Sequence, residues 1–263
     1  MFAALCVVLA ATLTSAEEDK GDDWAGEVSA SIAAQSGSVD TFAATIDASG
    51  ERTWTKDFLS LRFTGVYGIS RDRDDTPGKN ETDQDSQRLS SRWKHTVRNR
   101  FFWGTEAELT RDSTKDLDVR ASVATGPGYR VWRGEDADSR HFDVSVALGY
   151  RYERYDGNTG PETGTGSLTA LNGSDQHLAD VIASFEHKNR FLDGRIEWKH
   201  SGSVALPANQ PDAFLVRTEV IIGIPLIEAW SFRTSVLYEY VNDAPDDVNP
   251  STMRTSVGLG YKF

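Results

Sequence analysis

The sequence predicts an all-β protein, a transmembrane antiparallel up-and-down β-barrel of about twelve strands. Three observations predict it. From Trp24 onward apolar and polar residues alternate in runs broken by clusters of Gly, Asn, Asp, Ser and Pro, and a period of two marks strands with unlike faces. Aromatic residues gather at the ends of those runs. The second face carries charges of both signs, where a soluble barrel would bury apolar side chains.

Taken in order, the chain opens on an apolar run that closes on small residues, Leu9-Ala10-Ala11-Thr12-Leu13-Thr14-Ser15-Ala16. Residues 1–16 read as a secretory signal peptide cut after Ala16, since the run is well short of the roughly 18 residues a spanning helix needs. Cys6, the only cysteine, lies in this segment. Disulfides, thiolate catalysis and cysteine zinc sites are therefore excluded from the mature chain. An acidic N-terminal segment, 17–23, follows, and the barrel is expected over 24–263.

The alternation places strands near 24–34, 38–49, 56–69, 88–97, 100–111, 116–132, 140–154, 176–186, 190–200, 213–224, 229–241 and 251–263. The seventh is the clearest: Phe142, Val144, Val146, Leu148, Tyr150 and Tyr152 lie on one face, and Asp143, Ser145, Ala147, Gly149, Arg151 and Glu153 on the other. In the sixth, Gly126-Pro127-Gly128 predicts a bulge or an early end, because proline cannot donate to a ladder. The connections alternate between long ones, rich in glycine and charge, and shorter turns at 50–55, 98–99, 133–139, 187–189 and 225–228. Long loops on one rim and short turns on the other are usual in outer membrane barrels.

In this register Trp24, Trp54, Trp103, Trp132 and Trp230 fall near the short-turn rim with Phe101, Phe102, Phe142 and Phe263. Tyr67, Tyr150, Tyr152, Trp198, Phe214, Tyr238 and Tyr240 fall near the long-loop rim. Two aromatic belts around a zone of Val, Ile, Leu and Ala match the two bilayer interfaces. The lipid-facing set is then the one containing Val144, Val146, Leu148, Val257 and Leu259.

Twelve acids and twelve bases fall on the opposite, inward face. They include Arg120, Arg151, Glu153, Arg195, Glu197, Lys199, Arg217, Glu219, Arg233, Glu239 and Arg254, together with Asp47, Arg62, Asp118, Asp143 and Glu186. A balanced interior leaves the net charge of −12 to loops and tails, whereas an ion-selective pore needs an excess of one sign. Arg195, Glu197 and Lys199 beside Arg217 and Glu219 read as pairs between neighbouring strands. Twelve strands about 4.7 Å apart and tilted about 40° close at a radius of roughly 12 Å, so long side chains leave only a narrow passage.

No catalytic, cofactor or metal motif stands out. G-x-S-x-G does not occur, and Gly78-Lys79-Asn80 lacks the rest of a phosphate loop. The five histidines, His95, His141, His177, His187 and His200, lack metalloprotease spacing and read as interfacial or loop residues. The clusters Asp72, Asp74, Asp75 and Asp243, Asp246, Asp247 do not follow EF-hand spacing. They read as solvated loop charge, with bridging of lipopolysaccharide phosphates through divalent ions as the functional version. A chain this acidic is a poor partner for nucleic acid.

The end Gly258-Leu259-Gly260-Tyr261-Lys262-Phe263 resembles the C-terminal signal that the barrel-insertion machinery of the outer membrane reads. With Trp24-Ala25-Gly26-Glu27-Val28-Ser29, Asn99-Arg100-Phe101-Phe102-Trp103-Gly104, Leu117-Asp118-Val119-Arg120 and Gly126-Pro127-Gly128-Tyr129, it resembles the YdiY-like family of salt-induced outer membrane proteins. The resemblance covers nearly the whole mature chain. It implies an outer membrane barrel with outer membrane lipid and lipopolysaccharide as surroundings, a link to salt or osmotic stress, and no known chemistry.

Overall fold

The computed structural model describes residues 24–36, 39–72, 81–115, 117–134, 140–155, 175–227, 229–242 and 250–263. The expected signal peptide, the acidic segment and most of both acidic loop clusters lie outside them. The described residues form twelve strands: β1 (Trp24–Ser36), β2 (Val39–Thr53), β3 (Asp57–Asp72), β4 (Glu81–Arg98), β5 (Phe101–Asp112), β6 (Leu117–Arg133), β7 (His141–Tyr155), β8 (Asp175–Phe191), β9 (Ile196–Pro207), β10 (Leu215–Pro225), β11 (Trp230–Val241) and β12 (Ser251–Lys262). Each pairs antiparallel with its neighbour in sequence, and β1 pairs with β12 to close the barrel. Closure leaves the sheet no unpaired edge.

The seam is fixed at the short-turn rim by Phe263. Its backbone N–H donates to Gly26 O at 3.0 Å and its carbonyl accepts from Gly26 N at 2.9 Å. The ring lies over Gly26, where a Cβ would come within 2.3 Å of it. Glycine at this position is what lets the last residue lock onto the first strand.

Alternation sorts the wall as expected. Val146, Leu148, Val257 and Leu259 are exposed on the outside, Leu148 by 70%, while Asp143, Arg151, Glu153, Asp180 and Glu186 are buried inside. An apolar exterior around a charged interior inverts the order of a soluble barrel.

Two boundaries differ from the periodicity. The turn between β8 and β9 is at Leu192-Asp193-Gly194-Arg195, where Leu192, Asp193 and Gly194 take positive φ of 52°, 55° and 85°. The ladder runs on through His187, Lys188 and Asn189, which the sequence places in the turn. In β6 the pairing with β5 runs through Gly126-Pro127-Gly128, whereas with β7 Gly126 and Pro127 have no partner although the register is the same on both sides of them, and the register shifts lie at Leu117/Val119 and Arg130/Trp132. The two glycines serve packing. A Cβ on Gly128 would lie 2.2 Å from the Phe102 ring, and one on Gly126 would meet Val146 O at 2.2 Å.

Candidate functional site

The candidate site is the lumen, whose charged residues the alternation along the strands aims inward. A cavity of about 270 Å³ lies within it, lined by nine acids, nine bases and many hydroxyls. Of the residues read as inward from the sequence, Arg120, Arg151, Lys199, Arg217, Glu219, Glu239 and Arg254 line it. Glu153 is fully buried beside Arg120 and Arg151, at 2.6 and 2.8 Å. Glu197 pairs with Lys262, and Arg233 with Glu27 at 3.0 Å, towards the short-turn rim.

Arg195 is the exception. It sits in the β8–β9 turn and is exposed, because the strand begins one residue later. Asp118 also departs: the irregularity at the start of β6 turns it outward, where it pairs with the exposed Arg154.

Neighbouring strands do pair, as in Arg62–Asp47, Arg88–Glu108, Arg120–Glu153 and Lys199–Glu186, but the pairing of Glu197 and Lys199 with Arg217 and Glu219 is not what forms, and further pairs cross the ring. Arg217 does face Glu239 on adjacent β11, at 3.8 Å, but also Glu108 on β5 across the ring, at 3.6 Å. Arg62 on β3 donates to Glu219 on β10 at 2.6 Å. Lys188 on β8 donates to Glu51 on β2 at 2.9 Å, and these strands are six apart, directly opposite. Lys115, from the Ser113–Lys115 3-10 turn, reaches Glu239 on β11.

These contacts set the shape of the barrel. An even twelve-strand cylinder has a backbone diameter of roughly 24 Å, whereas an arginine and a glutamate end to end span roughly 15 Å. The wall must therefore be drawn in at the level of Arg62 and Glu219. The lumen is bridged, where the sequence predicts a narrow axial passage.

Two layers of bridges result. Towards the short-turn rim, Lys94 donates to Asp143 and to Glu186, both at 3.0 Å. Arg92 joins Glu186 at 2.6 Å, and Arg130 joins Asp143 at 2.8 Å. Phe58 and Phe102 flank the Lys94 ammonium at 5.8 and 5.3 Å, so Phe102 belongs to the lumen and not to the belt. Towards the long-loop rim, Arg151 binds Asp180 and, through Nη2, the carbonyl of Ala213 at 3.0 Å. Asn209 holds the β9–β10 loop by donating to His177 O and accepting from Ala179 N. Ala213 in that loop is buried, its carbonyl accepting from Arg151 inside the lumen.

Glu51, Arg88, Lys115 and Lys188 were not expected inside. Glu51 and Lys188 lie beyond the predicted strand ends, Arg88 pairs with Glu108 in the lumen, and Lys115 comes from a loop. Longer strands of unbroken alternation would have revealed the first two.

His141 corrects a further expectation. It is buried in the lumen, with Nε2 at 3.2 Å from Glu186 and 3.9 Å from Asp143, and the three offer a ligand set of plausible type for a transition metal. Lys94 supplies the positive charge there instead, bonded to both carboxylates. The other histidines lie on the outside: His187 and His200 pack with Phe142, Phe185, Trp132 and Trp198.

The outward aromatics form the two rims. Trp24, Trp54, Trp103, Trp132, Trp230 and Phe263 are at the short-turn rim, and Tyr150, Tyr152, Tyr238 and Tyr240 at the long-loop rim. Trp198 is a correction. The shifted β8–β9 turn places it two residues into β9, on the short-turn side.

The family model described as "Protein of unknown function, DUF481" matches residues 28–263. The chain belongs to this family. No curated protein matches the sequence. Among solved structures, the translocator domain of autotransporter NalP from Neisseria meningitidis is similar, with 12% identity, a TM-score of 0.51, and coverage of 100% of this chain and 97% of that one. The NanC porin is similar over 90% of this chain and 100% of its own, with 8% identity and a TM-score of 0.50. At such identities the likeness is one of fold.

Proposed function

We propose that this member of the family is a non-enzymatic outer membrane β-barrel whose lumen is held shut by ion pairs, with a structural or narrow-channel role. The observation that carries the reading is the bridging of opposite walls by Arg62–Glu219 and Lys188–Glu51 inside an apolar exterior. Breaking such a pair strands a charge in a confined space. The apolar belt between aromatic rims fits a bilayer, and Phe263 fits a C-terminal strand presented to the insertion machinery. The signal segment fits export, and the YdiY-like resemblance adds the link to salt or osmotic stress.

A second reading, a porin for small solutes, draws on the cavity of about 270 Å³, which has room for roughly nine waters at about 30 Å³ each. Planar bilayer recordings separate the two. The bridged lumen gives small or no steady currents at moderate salt, and large, steady single-channel currents would overturn it in favour of the porin.

A further inference from the structure

The bridges that close this lumen also constrain what could pass or bind there. Arg62 holds Glu219 at 2.6 Å and Asp47 at 3.0 Å, and Thr64 Oγ1 donates to the same Asp47 oxygen at 2.7 Å. These residues all line the cavity, as do the hydroxyls of Ser60, Ser90 and Ser203. A solute that passes between Arg62 and Glu219 must part a cation on one wall from an anion on the other.

An anion would satisfy the arginine and strand the glutamate; a cation would do the reverse; a neutral polar solute would satisfy neither fully. A molecule with both charges replaces both partners at once. Its carboxylate takes the Nη1 hydrogen bond that Arg62 gives to Glu219, a charge-assisted contact, while Asp47 keeps Nε and Nη2, and its ammonium takes Glu219. The nine-to-nine balance of acids and bases around the cavity favours neither net sign.

We infer that the lumen is a binding and passage site for small zwitterions, molecules of about amino-acid size that carry an ammonium and a carboxylate. This rests on the bridged-lumen reading and names its substrate class. No bond is made or broken; the solute exchanges one set of ion pairs for another.

The test is efflux from preloaded vesicles containing the refolded full chain, with four solutes of matched size: alanine (zwitterion), lactamide (neutral), lactate (anion) and alaninamide (cation, measured below its amine pKa). Alanine is expected to leave about tenfold faster than the other three, one decade being a modest share of a charge-pair preference. Replacing Arg62→Met, Glu219→Gln and Asp47→Asn together, which neutralises the bridge without stranding a partner, should erase that preference. If this variant fails to fold, as judged by heat-modifiable gel migration, the exchange Arg62→Glu with Glu219→Arg and Asp47→Asn serves instead and should retain a preference for alanine. Equal rates for alanine and lactamide overturn the inference while leaving the bridged lumen standing. So does no efflux of any solute. Fast efflux of all four overturns both the inference and the bridged-lumen reading.

Discussion

Arg62→Ala should be the most damaging truncation of the cross-lumen bridge, and its cost is predictable from its partners. The guanidinium serves two carboxylates, Asp47 and Glu219, whose side chains are only 10% and 13% exposed. Removing one partner of a buried pair costs about 3–5 kcal/mol. Some solvent reaches Arg62, at 23%, and Thr64 still donates to Asp47, so the lower end, about 3 kcal/mol, applies. Glu219→Ala leaves Arg62 bonded to Asp47 and loses one charge-assisted hydrogen bond, about 1.5–3 kcal/mol at most. The double variant Arg62→Ala with Glu219→Ala should cost less than the two single costs together, by about 2 kcal/mol, since removing Glu219 relieves a charge already stranded. Urea unfolding in lipid vesicles, followed by gel migration of unheated samples, measures all three. Strict additivity, or a larger cost for Glu219→Ala than for Arg62→Ala, would refute the argument that this pair bridges the lumen.

On the wall, Val146→Arg should destabilise the barrel by about 2–4 kcal/mol, the cost of a cation facing hydrocarbon near the midplane. Ser145→Arg, which points inward beside Ser184, should cost less in the same unfolding assay. Deleting Phe263 removes the backbone pair and ring contact with Gly26 at the closing seam. The yield of heat-modifiable barrel should fall while export persists, and unchanged assembly would remove the seam's claimed role. Lys94→Met withdraws the ammonium from His141, Asp143 and Glu186. Zinc should then raise the unfolding midpoint of this variant and leave the unmodified chain unmoved; an equal response in both would show that Lys94 does not hold the place of a cation.

The wall was legible because the bilayer and the lumen impose opposite demands on alternate residues. Val144 and Asp143 differ by one position and cannot exchange places without moving every side chain of β7 to the wrong face. The failures fall where that demand lapses. Near the rims both faces tolerate polar residues, so His187, Lys188 and Asn189 read as a turn although the ladder continues to Phe191. The true turn carries Asp193-Gly194, a strong hairpin signal, but the placement of Trp198 and Arg195 followed the earlier break. At Leu117 one extra residue shifts the alternation, and Asp118 passes to the outside.

The site itself was legible only as an inventory of inward charges. Which acid meets which base depends on the curvature of the closed ring. Arg62 and Glu219 are 157 residues apart in sequence, Lys188 and Glu51 137, and Lys115 and Glu239 124. No hairpin brings any of these together; only the joining of β1 to β12 completes the ring that places them opposite one another. Before closure these charges can remain hydrated, and after closure Arg62, Lys188 and Lys115 each gain a partner across the lumen, while pairs such as Arg120–Glu153 and Arg151–Asp180 form between neighbouring strands. A ring closed with a different strand count or a slipped register would set unlike heights against one another and leave buried charges unpaired, at several kcal/mol each. The cross-lumen pairs therefore stabilise the native closure less by their own attraction than by the penalty they attach to every other one. That fits a lumen rich in charge that carries nearly none of the net −12: its acids answer bases either on an adjacent strand, as Glu153 and Asp180 do, or on the facing wall, as Glu219 and Glu51 do.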